Sequence, residues 1–251
     1  MKQKLLVWCL FVIANTAVTP AFAEQVLVAV AANFIPPFRE IATEFEQSSG
    51  HSVRVVPGSS GNFYSQIKNG APFDVFLSAD MERPKLLADE GLGVKDSRFT
   101  YAIGRLVLWS PNTDLIKGEE TVRSKTFKRL AMANPKTAPY GVAAMQALQK
   151  LELWENLQPR IVMGESLGQT MGFIESGNAQ LGFVALSQVL DTKIKGQGSR
   201  WDVPNHLHEP IAQDVIVLTK GKDNPAAKAL IQFMGSPQAK TIITRYGYEL
   251  Q

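Results

Sequence analysis

Short apolar runs that alternate with helix-forming segments constrain the fold of this chain more than any other feature. The first run, at 25–32, is apolar at almost every position, as in strands that are buried on both faces of a parallel sheet. Segments with apolar residues at helical spacing follow this run and the next two. This order predicts an α/β fold with right-handed crossovers between parallel strands. The further predicted strands are at 52–56, 74–78, 101–109, 130–133, 160–163, 179–186 and 211–219.

The N-terminus has the three parts of a secretory signal peptide. Lys2 and Lys4 form a positive start, an unbroken apolar run of ten residues follows at 5–14, and Ala21 and Ala23 form an A-x-A cleavage site. We therefore expect an exported protein that is cleaved after Ala23. The apolar run is too short to be a membrane anchor, and no later run reaches eighteen residues, so we expect a soluble mature chain with no membrane insertion.

Cysteine content and charge exclude several classes of function. The only cysteine, Cys9, lies inside the predicted signal peptide, so the mature chain has no disulfide, no thiolate nucleophile and no cysteine-bound metal. The whole chain has 26 basic and 23 acidic residues, and the signal peptide removes two of the basic ones. No basic run is present elsewhere, so nucleic acid and anionic membrane are not expected as partners.

The segment G-E-S-L-G at 164–168 has two interpretations. The G-x-S-x-G pattern between a strand and a helix is that of the nucleophile elbow of serine hydrolases, with Ser166 as nucleophile. The acids and histidines that could complete a triad share one short polar stretch and are Asp191, Asp202, His206 and His208. No oxyanion loop of the H-G-G type precedes the serine. We therefore favour a helix start in which Ser166 is the N-cap, and keep the secreted hydrolase as the least favoured alternative.

A second candidate site is the segment His206-Leu-His208-Glu209. Two histidines and a carboxylate can bind zinc, but an extended H-x-H pattern needs a third ligand from elsewhere in the chain. Proline residues flank the segment on both sides. A solvated connection between parts of the fold is therefore expected here rather than a metal site.

Four strand-to-helix junctions carry small or polar residues where a helix is predicted to begin. They are Ala32-Asn33, Ser59-Ser60, Pro139-Tyr140 and Ser166-Leu167. A helix start has backbone N–H groups without intrahelical partners and the positive end of the helix dipole. Four such starts around one cleft would bind a small anion with neutral donors. Donors alone favour a fully deprotonated oxyanion, because the proton of hydrogenphosphate would lack an acceptor, at a cost of about 1–3 kcal/mol.

Several motifs, in this order and spacing, carry a resemblance over essentially the whole mature chain. They are A-V-A-A-N-F at 29–34, G-S-S-G at 58–61, N-G-A-P-F-D-V-F-L-S-A-D at 69–80, F-T-Y-A-I-G-R-L-V-L-W at 99–109, N-P-K-T-A-P-Y-G at 134–141, L-G-F-V-A at 181–185 and R-Y-G-Y at 245–248. The chain resembles the ModA-type periplasmic molybdate-binding proteins of ABC importers. The resemblance implies a type II periplasmic binding fold, with two lobes that each have a mixed, mostly parallel sheet flanked by helices and are joined by two crossing strands.

The resemblance also implies which residues bind the ligand. Asn33 takes the position of a residue with side-chain and backbone donors, and Ser60 that of a serine that donates its hydroxyl and its N–H. Tyr140 and Leu167 take positions whose backbone N–H groups bind the oxyanion. The adjoining Ala32 and Ser59 complete the expected ligand-binding set.

One position departs from the family pattern. Many members have a tyrosine donor after the L-G-x-V strand, where this chain has Ala185. The side chain of Asn33 or of Tyr140 is expected to compensate. Asp80, at a strand end, is expected to have a structural or hinge role, because a carboxylate would repel an anion.

The expected division of the chain is a signal peptide at 1–23, a first lobe at 24–104 and 212–251, and a second lobe at 105–211. The hinge is expected near 103–104 and 212–213. As the resemblance implies, the ligand is molybdate or tungstate, bound without cofactor, metal cation or catalysis. The partners are the permease subunits of an ABC importer, and the protein is a periplasmic monomer.

Two other ligand classes remain open for such a carrier. A sulfate carrier or a carrier of a small organic anion would have the same fold. An Fe(III) carrier would need tyrosines or carboxylates clustered at the cleft, and Tyr140 alone does not form such a cluster.

Overall fold

The computed structural model describes residues 23–191, 193–194 and 196–251. The predicted signal peptide lies outside these residues except for Ala23. Within the described part of the chain, no helix combines the length and the apolar character that a membrane span requires.

Ten strands and ten α-helices alternate along the chain. The strands are β1 (Gln25–Ala31), β2 (Ser52–Gly58), β3 (Val75–Leu77), β4 (Phe99–Gly104), β5 (Leu106–Ser110), β6 (Leu130–Ala133), β7 (Ile161–Gly164), β8 (Leu181–Ala185), β9 (Ser199–Asp202) and β10 (Ile211–Val217). The helices are α1 (Ile35–Ser49), α2 (Ser60–Lys68), α3 (Glu82–Asp89), α4 (Glu120–Ser124), α5 (Pro139–Lys150), α6 (Trp154–Leu157), α7 (Leu167–Glu175), α8 (Leu186–Val189), α9 (Pro225–Met234) and α10 (Pro237–Arg245). These counts refer to the described residues.

The strands form two sheets of five. The first sheet has the order β2-β1-β3-β10-β4, and the second has the order β7-β6-β8-β5-β9. In each sheet three neighbouring strands are parallel, and the later pairings are antiparallel. This arrangement confirms the α/β fold and the two-lobed architecture with mixed sheets.

The central strands of both sheets are buried on both faces, which explains their continuous apolar runs. In β1, Val28 packs into a cluster with α1, α9 and α10, whereas the next residue, Ala29, packs on the other face against Phe63 of α2. In β6, Met132 faces the cluster under α5 and Ala131 faces the cluster under α7. Full burial of one such aliphatic side chain contributes about 1.5–3 kcal/mol, so strands with apolar residues on both faces belong in the centre of a layered fold.

The chain passes between the sheets twice. Only Arg105 separates β4 in the first sheet from β5 in the second, and residues 203–210 connect β9 with β10. The prediction of one long strand at 101–109 was therefore wrong, because two strands in different sheets meet there. An added Cβ at Gly104 would lie 2.0 Å from Tyr140 Oη and 2.5 Å from Gln213 Nε2, so only glycine fits where the chain crosses.

Candidate functional site

A small cavity lies between the two sheets, at the ends of strands and the starts of helices from both. We call it the central cavity; its lining residues are Ala31, Ala32, Asn33, Gly58, Ser59, Ser60, Ala79, Ala138, Pro139, Tyr140 and Leu167. All six residues that the sequence predicted to bind the ligand are among them. None of the lining side chains is charged. With a volume of about 10 Å³, the cavity is far below the ~300–1,000 Å³ of sites for drug-sized organic ligands.

Asn33 reaches the cavity from a short 3-10 turn between β1 and α1, at Ala32–Phe34. Its side-chain amide does not act as expected. Asn33 Nδ2 donates to Gln213 Oε1 at 2.8 Å and to Tyr248 Oη at 3.0 Å. An amide nitrogen has two donors, and both have acceptors inside the protein. The prediction that this side chain donates to a ligand was therefore wrong for the described conformation, and the backbone N–H of Asn33 remains as a candidate donor.

Two serines at the start of α2 line the same wall with different roles. Ser60 Oγ accepts a hydrogen bond from the backbone N–H of Ala79 at 2.8 Å, which fixes the oxygen and leaves its own O–H to donate. Ser59 is the N-cap of α2, but its side chain makes no capping bond. Ser59 is 4% exposed, and its Oγ has no hydrogen-bond partner within the described protein. A buried hydroxyl without a partner is rare and costs about 1–3 kcal/mol, so it indicates a function.

The backbone at the start of α2 leaves one N–H group beside these hydroxyls. The N–H of Gly61 donates to Thr137 O, across the cleft, at 2.9 Å, and the N–H of Phe63 donates to Ser59 O at 3.0 Å. Ser60, the first residue of the helix, has no carbonyl acceptor within its own helix. Its N–H is thus the first-turn donor at the cavity wall.

The opposite wall consists of helix starts that offer backbone groups. In α5, Ala138 is the N-cap in an extended conformation and Pro139 is the first residue. Proline has no N–H, so the first amide donor of this helix is that of Tyr140. In α7, Leu167 is the first residue, and its N–H likewise has no intrahelical acceptor. The side chain of Leu167 is buried in the core of the second sheet.

Ser166 has the role of a helix cap. Its Oγ accepts a hydrogen bond from the backbone N–H of Gln169 at 3.3 Å. The backbone at Ser166, with φ −149° and ψ 164°, is ordinary extended chain. A nucleophile elbow requires a sharp, strained turn at the serine. The capping prediction is confirmed, and the geometry does not support the elbow.

The positive electrostatic potential at the central cavity comes from helix starts and not from charged side chains. Three helices of nine or more residues, α2, α5 and α7, begin at its walls. Each helix start carries about half a positive charge and unpaired N–H groups. The nearby Asp80 pairs with Arg83, and its Oδ1 also accepts from the Arg83 N–H at 2.9 Å. Asp80 thus has the structural role that was expected for it, at the start of α3.

Ala185 does not line the central cavity. It is fully buried at the end of β8, where its N–H donates to Gln188 Oε1 at 3.1 Å. The Tyr140 hydroxyl lies in the crossing region beside Gly104, where its Oη accepts from Gln213 Nε2 at 3.2 Å. The Asn33 amide has both of its acceptors inside the protein, so it does not compensate in this conformation, and the hydroxyls of Ser59 and Ser60 are the side-chain donors at the cavity wall.

Sequence reasoning placed Pro139 at a junction but did not identify Ala31, Gly58, Ala79 and Ala138 as cavity residues. The motifs S-A-D and T-A-P-Y each follow a strand, and this position could have indicated residues at the cavity. Sequence reasoning also did not identify the buried hydrogen bonds that involve Tyr101, Tyr140 and Tyr248. Burial raises the pKa of Tyr101 and Tyr140 well above the ordinary value, and it raises the pKa of Tyr248 to about 12, so all three hydroxyls stay protonated at neutral pH.

The His206–Glu209 segment makes contacts within the protein through its backbone and through His208. Within the described residues, no group of three or more potential metal-binding side chains is found. The carbonyl of His206 accepts from Lys150 Nζ at 2.7 Å. His208 is buried, and its Nδ1 lies 2.7 Å from Glu209 O. The expectation of a solvated connection was wrong at His208.

Comparisons with known proteins agree with this geometry. Residues 26–249 match the family model described as bacterial extracellular solute-binding protein. The chain is 54% identical over 233 residues to the molybdate-binding protein ModA of Azotobacter vinelandii, with 92% of each protein covered. It is 47% identical over 229 residues to the molybdate-binding protein ModA of Rhodobacter capsulatus, covering 91% of this chain and 90% of that protein.

A solved structure supports the same assignment. The periplasmic molybdate-binding protein of Azotobacter vinelandii matches with a TM-score of 0.87 and 39% sequence identity, and the match covers 90% of this chain and 99% of that one. The resemblance in the sequence motifs is thereby confirmed. The chain belongs to the bacterial extracellular solute-binding proteins and, within them, to the ModA-type family.

Proposed function

We propose that this protein captures molybdate between its two lobes and delivers it to the permease subunits of an ABC importer. The observation that carries the proposal is the small, uncharged central cavity with hydrogen-bond donors on both walls. Such a cavity suits a compact anion whose charge is neutralised by helix dipoles and neutral donors. Relatives at 54% and 47% identity are named molybdate-binding proteins, which supports molybdate as the anion.

The proposed donors come from both walls. The first wall supplies the hydroxyls of Ser59 and Ser60 and the N–H groups of Asn33 and Ser60. The second wall supplies the N–H groups of Tyr140 and Leu167, while Ala32 shapes the cavity. Hydrogen bonds to a charged group contribute about 1.5–3 kcal/mol each. Even after the costs of association, several of them can reach the 8 kcal/mol of a micromolar site.

Selectivity follows from size and from protonation. Molybdate has longer metal–oxygen bonds than the sulfur–oxygen bonds of sulfate, so donors spaced for molybdate cannot all reach sulfate at once. Tungstate, with nearly the size and charge of molybdate, should bind about equally well. Hydrogenphosphate carries a proton, and the backbone donors of the cavity cannot accept it.

The proposed cycle depends on movement of the lobes. Residues 24–104 with 212–251 form the first lobe, residues 105–211 form the second, and the hinge lies at 103–104 and 212–213. Because the donors lie on both walls, the anion binds the closed form better and shifts the population toward it. We propose a non-catalytic monomer, exported to the periplasm after cleavage at Ala23, whose closed form docks on the importer.

A calorimetric titration of the chain from Glu24 onward with molybdate tests the proposal, with sulfate and phosphate as competitors. One-to-one binding at micromolar affinity or tighter, resistant to excess sulfate, is the expected result. Saturation by sulfate without a response to molybdate would keep the fold and overturn the ligand. The absence of a response to any oxyanion would overturn the carrier proposal.

A further inference from the structure

A buried cluster of polar side chains joins the two halves of the molecule behind the central cavity. We call it the interlobe network; its members are Asn33, Tyr101, Tyr140, Ser187, Gln213 and Tyr248. All six are at most 4% exposed. Together they form a second region of buried polar groups, next to the proposed anion site but distinct from it, since only Asn33 and Tyr140 also line the cavity.

Three contacts of the network cross from one half to the other. Ser187, which follows β8 of the second sheet, donates from Oγ to Asn33 O at 2.7 Å. Ser187 Oγ also lies 3.0 Å from Tyr248 Oη. Gln213 Nε2, on β10 of the first sheet, donates to Tyr140 Oη at 3.2 Å. Two of these three contacts involve the single hydroxyl of Ser187.

The remaining bonds lie within the first half. Gln213 Oε1 accepts from Asn33 Nδ2 at 2.8 Å and from Tyr101 Oη at 3.0 Å. Tyr101 Oη also lies 3.0 Å from Ser78 O, and Tyr248 Oη lies 2.9 Å from Asn33 O. Tyr248 is held beside the first sheet because its neighbour Glu249 pairs with Ile103. The network is thus built on one half, and the second half completes it.

Asn33 and Tyr140 connect the network with the anion site. Asn33 offers its backbone N–H to the cavity, while its carbonyl and its side-chain amide belong to the network. Tyr140 offers its backbone N–H in the same way, while its hydroxyl accepts from Gln213. Any motion that separates Ser187 from Asn33, or Tyr140 from Gln213, also moves the donors on the two walls apart. The contacts between the halves and the donors on the two walls are thus carried by the same two residues, Asn33 and Tyr140.

We propose that the bonds of the interlobe network that cross between the halves form a latch that stabilises the closed form through groups that do not contact the anion, with Ser187 as its principal positioning residue. The inference deepens the proposed function and rests on it for the affinity measurement. A latch of this kind raises the fraction of binding-competent protein and thereby the apparent affinity, and it slows release of the anion. It also explains the R-Y-G-Y motif, since Tyr248 is its last residue.

The test compares three variants of the full mature chain. Ser187→Ala and Tyr248→Phe each remove a hydroxyl from the contacts between the halves. Tyr101→Phe is the matched control, because it removes an equally buried tyrosine hydroxyl whose partners, Ser78 and Gln213, both lie in the first half. For each variant we would measure the molybdate dissociation rate by stopped flow, the Kd by calorimetry and the melting temperature.

The latch predicts that Ser187→Ala and Tyr248→Phe release molybdate about three- to tenfold faster and bind it weaker by the same factor. Tyr101→Phe should lower the melting temperature by a similar amount and leave Kd within about twofold. An unchanged Kd and release rate in Ser187→Ala would overturn the latch. Equal weakening by Tyr101→Phe would overturn it as well, since the effect would then reflect a buried hydrogen bond of any kind.

A measurement on the anion-free protein tests the latch proposal independently of the proposed ligand. If the wild-type protein does not bind molybdate, the proposed function falls, and the latch is then decided by small-angle X-ray scattering of the anion-free proteins. Ser187→Ala should have a larger radius of gyration than the wild type and than Tyr101→Phe. Equal radii in that experiment would overturn the latch.

Discussion

The two walls of the central cavity supply hydrogen-bond donors in different ways. The wall at the first sheet adds the hydroxyls of Ser59 and Ser60 to its backbone N–H groups, so part of its donor set depends on the identity of those side chains. The wall at the second sheet offers the backbone N–H groups of Tyr140 and Leu167, so its donors depend on the conformation of two helix starts. Substitution of a side chain can remove a donor from the first wall, whereas the second wall loses a donor only when the backbone changes.

Leu167 shows what this difference means for the sequence. Its side chain packs in the core of the second sheet and has no polar atom. Its proposed contribution to binding is the N–H that it exposes as the first residue of α7, a position that Ser166 defines as N-cap. A backbone donor of this kind is compatible with many residue types, and only proline removes it.

The largest expected effect is the loss of this backbone donor. Leu167→Pro removes the N–H without breaking the helix, because proline is favoured at a first helical position and Ser166 already has the extended conformation that proline requires of its predecessor. Molybdate binding should weaken by about 1.5–3 kcal/mol, or roughly 10- to 150-fold, in a calorimetric titration.

Leu167→Met is the control for this variant. It preserves the N–H and nearly the same volume, so affinity should stay within about twofold and stability within about 1.5 kcal/mol. Equal losses of affinity in the two variants would contradict the backbone role of Leu167.

A comparably large effect is expected on stability at alkaline pH. It depends on the tyrosine hydroxyls of the interlobe network and not on the backbone donors. Burial raises the pKa of Tyr248 to about 12, above the value of about 10 in an unfolded chain. The corresponding stability is complete below pH 10 and is lost as pH rises toward 12. A rise of this size corresponds to an unfolding free energy on the order of 3 kcal/mol.

Urea unfolding at intervals from pH 8 to pH 11.5 measures this loss. The free energy should fall above pH 10, and Tyr248→Phe should fall less steeply because one titrating group is gone. A curve for Tyr248→Phe with the wild-type slope would show that this hydroxyl does not titrate in the proposed range.

Ser59 tests the role of the side-chain donors on the first wall. Ser59→Ala removes a hydroxyl that has no partner inside the protein and makes no capping bond. Molybdate affinity should fall by about tenfold, while the anion-free protein should be as stable as the wild type or more stable by up to about 1–3 kcal/mol. Calorimetry and thermal unfolding of the same sample give both values. A loss of stability with unchanged affinity would place the Ser59 hydroxyl in the fold instead of the anion site.

The smallest effect is expected at Ser166. Ser166→Ala loses the capping bond to Gln169, which should cost about 1 kcal/mol of stability. Molybdate affinity should stay within about twofold, because the N–H of Leu167 remains in place. Thermal unfolding and calorimetry test both statements, and a tenfold loss of affinity at unchanged stability would contradict them.

Local patterns in the sequence were sufficient for most of the fold. The apolar runs that became β1 and β6 predicted buried parallel strands, because both of their faces are covered. Three of the four junctions predicted α-helix starts correctly, because N-cap residues and first-turn prolines act on their immediate neighbours. At the fourth, Ala32-Asn33, a 3-10 turn precedes α1, which begins at Ile35. The break between β4 and β5 at Arg105 was missed, because the apolar pattern continues from one strand into the next although the sheet changes.

The polar interior could not be predicted from local patterns. The bonds from Asn33 to Gln213 and Tyr248 join residues that are 180 and 215 positions apart. No periodicity or spacing in the sequence connects them. The Asn33 amide was therefore interpreted as a donor to the ligand, whereas in the structure it donates to residues of the protein. The partnerless hydroxyl of Ser59 likewise becomes visible only when the surroundings of each buried polar atom are known.

A crystal structure of the mature protein with tungstate tests the central claim most directly, because tungsten scatters anomalously and one map locates the anion without assumptions. The account predicts one strong peak in the central cavity, within hydrogen-bond distance of Ser59 Oγ and of the backbone nitrogens of Tyr140 and Leu167. A peak elsewhere, for example in the groove beside Arg39 and Lys193, would contradict it.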